Sequence, residues 1–220
     1  MTRIAVMQPY FLPYAGYFRL VCDVDAFVLL DGVQFPRGGW VHRNRLRTRQ
    51  GQLAWLTLPL VKAPRDTESK DLRFRDTAAD EMGSSLRRFP ATATPAADSL
   101  ELVDMLSKPG GRPVDFIARL FQLTCDRLDL RAPIVRSSTI LLPGDVGMVD
   151  RIVALCRHFG ADTYLNAPGG RNLYDPEMFR QHGIDLQFLP AYRGPLESIL
   201  QRLHEATPAV LRQEIVDNLS

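Results

Sequence analysis

Three short stretches of this chain combine residue types suited to holding a small molecule. The first is AVMQPYFLPYAGYFRLV, residues 5–21, an apolar segment that carries Gln8, Pro9, Pro13 and three tyrosines, Tyr10, Tyr14 and Tyr17. A strand that only had to be buried would not need prolines, because each one removes a ladder donor. The Gln8 amide both donates and accepts, and the phenols add hydroxyls. Tyr14 and Tyr17 are three residues apart and are expected to share a face at a helix start. Free N–H groups there favour an anion, and Gly16 would let a ligand approach the backbone. The competing reading is ordinary half-buried packing.

The second stretch is DGVQFPRGGWVHRNR, residues 31–45. Asp31, at a strand end, can accept from a hydroxyl or an amine, and Gln34 is a second polar group nearby. Trp40 precedes Arg43, Asn44 and Arg45. If these three lie on a strand, the two arginines face one way and suit a phosphate or carboxylate through bidentate bonds. The alternative is a solvated basic edge strand, whose charges prevent unwanted pairing. His42 is a general-base candidate by position alone.

The third is NAPGGRNLY, residues 166–174. Gly169 and Gly170 reach conformations closed to other residues, and their amides could form an anion-binding concavity with Asn166 and Arg171. The alternative is a plain turn.

The intervening sequence supplies elements to position these loops. RIAVMQP reads as a buried strand, YAGYFRLVCDVD as a helix begun after Pro13, and AFVLLDGVQF as a strand of parallel-sheet character, together a βαβ unit. Residues 36–52 with LAWLTLPL suggest a hairpin beside that sheet. Residues 63–76 read as a charged loop leading to a short strand. Residues 77–130 are helical, with breaks at Pro90, Pro95 and KPGGRP, and VDFIARLFQLTCDRLDL has helical apolar spacing. PIVRSSTIL, DTYL and IDLQFLP are strands, and the helix VDRIVALCRHF stops at Gly160, a good C′ residue. Alternating strands and helices predict an α/β fold with a mainly parallel sheet. One domain over residues 1–220 is expected, with an insertion near 63–130. In such folds ligands bind outside the carboxyl ends of the strands, where all three loops fall.

Composition excludes more than it identifies. A net charge of +2 over 220 residues gives no basic excess of the kind nucleic-acid binders carry, although the Arg-rich segment 37–49 with Trp40 is the feature an RNA-binding reading would use. No secretory leader or membrane-length apolar run is visible. The 3 cysteines, Cys22, Cys125 and Cys156, are odd in number and far apart. This spacing suits a reducing cytoplasm and forms no CxxC; with no HExxH either, no metal site is expected. Cys125 and Cys156 fall in apolar helical patterns and read as core.

MQPYFLPYAGYFRL, DGVQFPRGGWVHRNR, LTLPL, GADTYLNAPGGRNLY and GIDLQFLP, in that order, resemble the WbqC-like protein family from the first strand to about residue 190. His42 departs from the pattern, which more often has Asn there. The resemblance implies a role in bacterial O-antigen, capsule-type or amino-sugar biosynthesis, a nucleotide or nucleotide-sugar ligand, and company with other enzymes of that pathway. More weakly, the strand–YAGY–helix–strand order looks like the HxGH start of the nucleotidylyltransferases, and VALCRHFGADTYLNAP is similar to a step of the pantothenate synthetases. That likeness implies a Rossmann-like sheet of HUP type, with Tyr14 and Tyr17 where the two catalytic histidines stand. Tyrosine carries no positive charge at neutral pH, so adenylyl transfer by the usual route is not expected. Two functions follow from these resemblances. One is acyl or aminoacyl transfer to a nucleotide-linked sugar, with Asp31 orienting the acceptor or acting as base. The other is a non-catalytic binding or scaffold protein of the same pathway.

Overall fold

The structure, a computed structural model, describes residues 1–142, 144 and 146–219. Pro143, Asp145 and Ser220, which belong to the expected 1–220 span, lie outside the described residues. Five strands form a parallel sheet: β1 (Arg3–Met7), β2 (Ala26–Leu29), β5 (Ile134–Arg136), β6 (Thr163–Asn166) and β7 (Asp185–Phe188). Their order is β5-β2-β1-β6-β7, and each adjacent pair is parallel.

The central strands are apolar at successive positions because both faces are covered. Ala5, Phe27 and Leu29 face one layer, while Ile4, Val6, Ala26 and Val28 face the other. The first layer contains α1 (Arg19–Cys22), α5 (Pro113–Arg127), α8 (Ile199–Glu205) and α9 (Pro208–Asp217), with α2 (Ala78–Leu86), α3 (Pro90–Ala93) and α4 (Leu100–Ser107) packed onto the same core. Pro113 opens α5 at a position where its missing N–H costs nothing. Phe121 of α5 stacks on Phe18 at 5.0 Å and lies 5.2 Å from Phe27. The opposite face carries α6 (Met148–His158) and α7 (Pro176–Arg180). Gly160 ends α6 at φ +61, as its sequence position suggests.

The hairpin is present as β3 (Arg43–Arg47) paired with β4 (Leu53–Thr57), but as a two-stranded sheet of its own. Leu46 and Leu56 anchor it in the main core. Residues 63–76 form no strand; a 3-10 turn at Ser69–Asp71 and two isolated bridges, Gln34 with Glu68 and Leu60 with Phe74, stand in its place. The expected first helix is a 3-10 turn at Ala15–Tyr17 followed by the one-turn α1. Among the described residues no helix is long and apolar enough to cross a membrane.

Candidate ligand site at the strand switch

The chain leaves β1 toward β2 and β5, then returns on the other side of β1 as β6 and β7. Crossovers diverge at that reversal and open a crevice at the carboxyl ends of β1 and β6. A cavity of about 820 Å³ lies there. Val6, Met7 and Gln8 from the end of β1 line it, with Asn166 to Gly170 after β6 and the first turn of α6 from Gly147 to Asp150. Tyr10 and Tyr14 line it too, and the same two tyrosines line a neighbouring pocket of about 240 Å³ with Trp40, Asn44 and Arg45. All three predicted loops thus meet at this pair of rings.

The first loop is rigidly fixed. Leu12 adopts a left-handed conformation, φ +46, which a leucine holds only when its surroundings impose it. Asn44 Nδ2 donates to the Leu12 carbonyl at 2.7 Å and to the Phe11 carbonyl at 3.2 Å. Ser198 Oγ donates to the Leu12 carbonyl at 2.8 Å, and Phe11 N–H donates to the Trp40 carbonyl at 2.9 Å. Asn44, expected to bind ligand, therefore mainly holds the turn, while still lining the smaller pocket. Tyr14 is extended, with ψ 161, just ahead of the 3-10 turn, so Tyr14 and Tyr17 do not share a helical face. Tyr17 is buried among Phe18, Phe27 and Phe121, and its hydroxyl donates to the Gln8 carbonyl at 2.5 Å. Its place is the core. The space over Gly16 is filled by the rings of Tyr14 and Tyr192, 5.4 Å apart, and offers a ligand no approach to the backbone. Burial raises the pKa values of Tyr10 and Tyr14; a small contribution from Tyr14 adds to the first, and Arg19 opposes the second. Both are neutral donors at physiological pH.

In the second loop Asp31 is wholly buried and its carboxylate is saturated. Oδ1 accepts from Ser137 Oγ at 2.9 Å and Ser138 N–H at 2.8 Å, and Oδ2 from Arg136 Nε and Ser138 Oγ, each at 2.7 Å. Burial alone would raise its pKa, but bonds from Ser138, Arg136 and Ser137 outweigh that and hold it below the usual value. Asp31 lines neither pocket and is placed as a tie between strand ends, not as a base. Gln34 is exposed and donates to the Arg65 carbonyl at 2.6 Å, away from both pockets. Arg43 and Arg45 do face one way. They flank Trp55, with guanidinium carbons 4.3 and 5.6 Å from its ring, and Arg45 lies 5.5 Å from the ring of Trp40. His42 packs on Phe35 at 5.0 Å and lines a different pocket; burial and Arg43 lower its pKa.

In the third loop Asn166, Gly169 and Gly170 line the large cavity. Gly170 N–H is taken up by the Ala167 carbonyl at 3.0 Å, so the expected concavity of paired glycine amides does not form. A Cβ at Gly170 would strike the Asn166 amide and Phe188, whereas one at Gly169 meets open space. Arg171 turns away onto Phe188, at 4.9 Å.

Sequence reasoning missed Asp150, Met148, Tyr174 and Met178, all of which line the cavity. The helical pattern of α6 was readable, but its start at the sheet's switch was not. Among the described residues no group of three or more His, Cys, Asp or Glu could hold a metal ion. Burial pushes the Cys22 thiol up to about 11 and Cys156 up to about 12, and raises Cys125 well above its ordinary value, so none is an activated nucleophile.

The family model described as "WbqC-like protein family" matches residues 8–196. The uncharacterized protein Rv1507c of Mycobacterium tuberculosis is 27% identical over 192 residues, which cover 84% of this chain and 80% of that one. No solved structure gives a significant match.

Proposed function

The chain belongs to the WbqC-like protein family, and from that premise we propose that it is a transferase of bacterial surface-polysaccharide or amino-sugar biosynthesis acting on a nucleotide-linked sugar. The observation that carries this reading is the meeting of two pockets of different chemistry on Tyr10 and Tyr14 at the sheet's switch point. In this reading Arg45, with Arg43 beside it, holds a substrate phosphate, and Trp40 offers a face to a ring. Tyr10 and Tyr14 donate hydrogen bonds at the junction, where charge develops during acyl transfer. Asp150 is the one carboxylate among the residues that line the large cavity. It takes the role first expected of Asp31: it accepts the proton a sugar amine or hydroxyl loses as its new C–N or C–O bond to the acyl carbon forms, and returns that proton to the alcohol or thiol released as the donor's C–O or C–S bond breaks.

A second reading, a non-catalytic binding protein of the same pathway, is favoured by one feature: no histidine or cysteine lines either pocket. The two readings part at Asp150→Asn, which should abolish turnover while leaving binding intact if the carboxylate is a base. The first test is thermal stability with a panel of nucleotides and nucleotide sugars, since a ligand of the folded state raises Tm. A rise with one nucleotide-sugar class supports the transferase reading and names what to assay. No rise with any of them removes the nucleotide-linked substrate.

A further inference from the structure

The two joined pockets are opposite in character. The larger contains three of the chain's six methionines, Met7, Met148 and Met178, with Val6, Leu30 and Leu173. No lysine, arginine or histidine is among the residues that line it, so a phosphate would have no cation there. Its mouth is apolar as well: Leu173 is 76% exposed and Met178 45%. Exposed apolar side chains gathered at one opening mark a binding surface, and methionine is the side chain that best adapts to a flexible aliphatic partner. The cavity's polar side chains are Asp150, four tyrosines and two amides. Gln8 and Asn166 are the only side-chain amides lining the cavity, and Asn166 Oδ1 already accepts from Ala167 N–H at 2.7 Å. The positive charge lies next door, where Arg45 makes no ion pair or side-chain hydrogen bond among the described residues and lies near Trp40 and Trp55.

We propose that the large cavity holds the straight acyl chain of an acyl donor whose phosphate-bearing head lies at Arg45, so that the ester or thioester carbon comes to Tyr10 and Tyr14. This rests on the transferase reading and names the donor it would use.

The test is calorimetric titration of the intact chain with inorganic phosphate, then butyl, hexyl and octyl phosphate, with UDP-N-acetylglucosamine alongside. Burial of each methylene should tighten binding about fourfold, so octyl phosphate should bind about sixteenfold tighter than hexyl phosphate. Arg45→Ala should weaken every alkyl phosphate by one common factor and leave the chain-length dependence unchanged. Gly169→Leu places a side chain in open space at the cavity lining without a positive φ. It should flatten the chain-length dependence while the melting temperature stays at the wild-type value. Affinity independent of chain length, or a dependence that Gly169→Leu leaves intact, overturns the proposal. Binding of the nucleotide sugar without any alkyl phosphate overturns it too, but leaves the nucleotide-linked transferase standing. Chain-length-dependent binding without the nucleotide sugar supports the acyl site and removes that sugar class. Failure of every ligand removes both.

Discussion

Asp31 and Arg136 join the carboxyl ends of neighbouring strands β2 and β5, the arginine Nε donating to Oδ2 at 2.7 Å with the carboxylate wholly buried. Arg136 also pairs with Asp115 of α5, so one guanidinium ties two strands to the long helix. Removing the carboxylate leaves the Ser137 and Ser138 donors without their buried acceptor, while Arg136 keeps Asp115; losing hydrogen bonds to a charged group costs about 1.5–3 kcal/mol. Asp31→Ala should therefore lower stability by roughly that amount, and the melting temperature by about 2–4 °C per kcal/mol for a chain of this size. Wild-type stability in a urea titration would show the tie to be dispensable.

The same carboxylate sets an acid limit. Its folded pKa lies below its ordinary value of 3.8, so its stabilisation is complete above that value and is lost as pH falls through the folded pKa. Stability measured between pH 6 and pH 2 should decline in the acid part of the range. Asp31→Asn should remove part of that slope, and an unchanged profile would assign the acid sensitivity to other groups.

Two glycines are held to their type by neighbours. A Cβ at Gly16 would collide with the rings of Tyr14 and Tyr192, and one at Gly170 with Asn166 and Phe188. Overpacking costs about 1–3 kcal/mol. Gly16→Ala should thus lower the melting temperature and displace Tyr14, weakening ligands of both pockets together. Gly170→Ala should disturb the large cavity alone. A Gly16→Ala variant with wild-type affinity at both pockets would mean that Tyr14 is not shared in function.

The fold was largely readable because strands buried on both faces leave continuous apolar runs, as in Ala26–Leu29, and because Gly160 punctuates its helix. The switch-point loops were readable from their odd composition. What composition cannot carry is the partner of each polar group. Asp31 looked free because Arg136 and Ser137 are more than a hundred residues away in sequence. Tyr17 looked paired with Tyr14 by helical spacing, but Pro13 and the left-handed Leu12 hold Tyr14 extended and send Tyr17 inward. The space over Gly16 is closed by Tyr192, from a segment with no periodic signal. Asp150 and Met178 reach the cavity only because the crossovers from β5 to β6 and from β6 to β7 pass over the same end of the sheet.

Burial is the first cause of a raised pKa at each of the 6 tyrosines, Tyr10, Tyr14, Tyr17, Tyr164, Tyr174 and Tyr192. At Tyr192 a hydrogen bond to Glu214 adds to it. Tyrosinate absorbance should therefore stay low through pH 10, the ordinary phenol value, and rise only with alkaline unfolding. The roles given to Tyr10 and Tyr14 as donors require this. A tyrosine titrating at or below pH 9 would show a hydroxyl more exposed or more activated than this structure places it.

Arg45 is the most direct test of the site. It lines the smaller pocket beside Tyr10 and Tyr14 and has no ion pair among the described residues. Its neighbour Arg43 is committed differently: it donates to the Gly38 carbonyl at 3.0 Å, and its buried Nε has no partner among the described residues. A hydrogen bond to a charged group contributes about 1.5–3 kcal/mol, so Arg45→Ala should weaken an anionic ligand about tenfold to a hundredfold. Arg45→Lys keeps the charge but loses the planar fork and the stacking on Trp40 and Trp55, and should recover only part of that affinity. Arg43→Ala should instead lower the melting temperature by releasing residues 36–40, with a smaller effect on affinity. Titration of each variant with UDP-N-acetylglucosamine at two salt concentrations separates these outcomes, because a contribution from Arg45 should shrink at the higher ionic strength. Equal affinities for the wild type and Arg45→Ala would remove the anion from this pocket and, with it, the bipartite arrangement of the site.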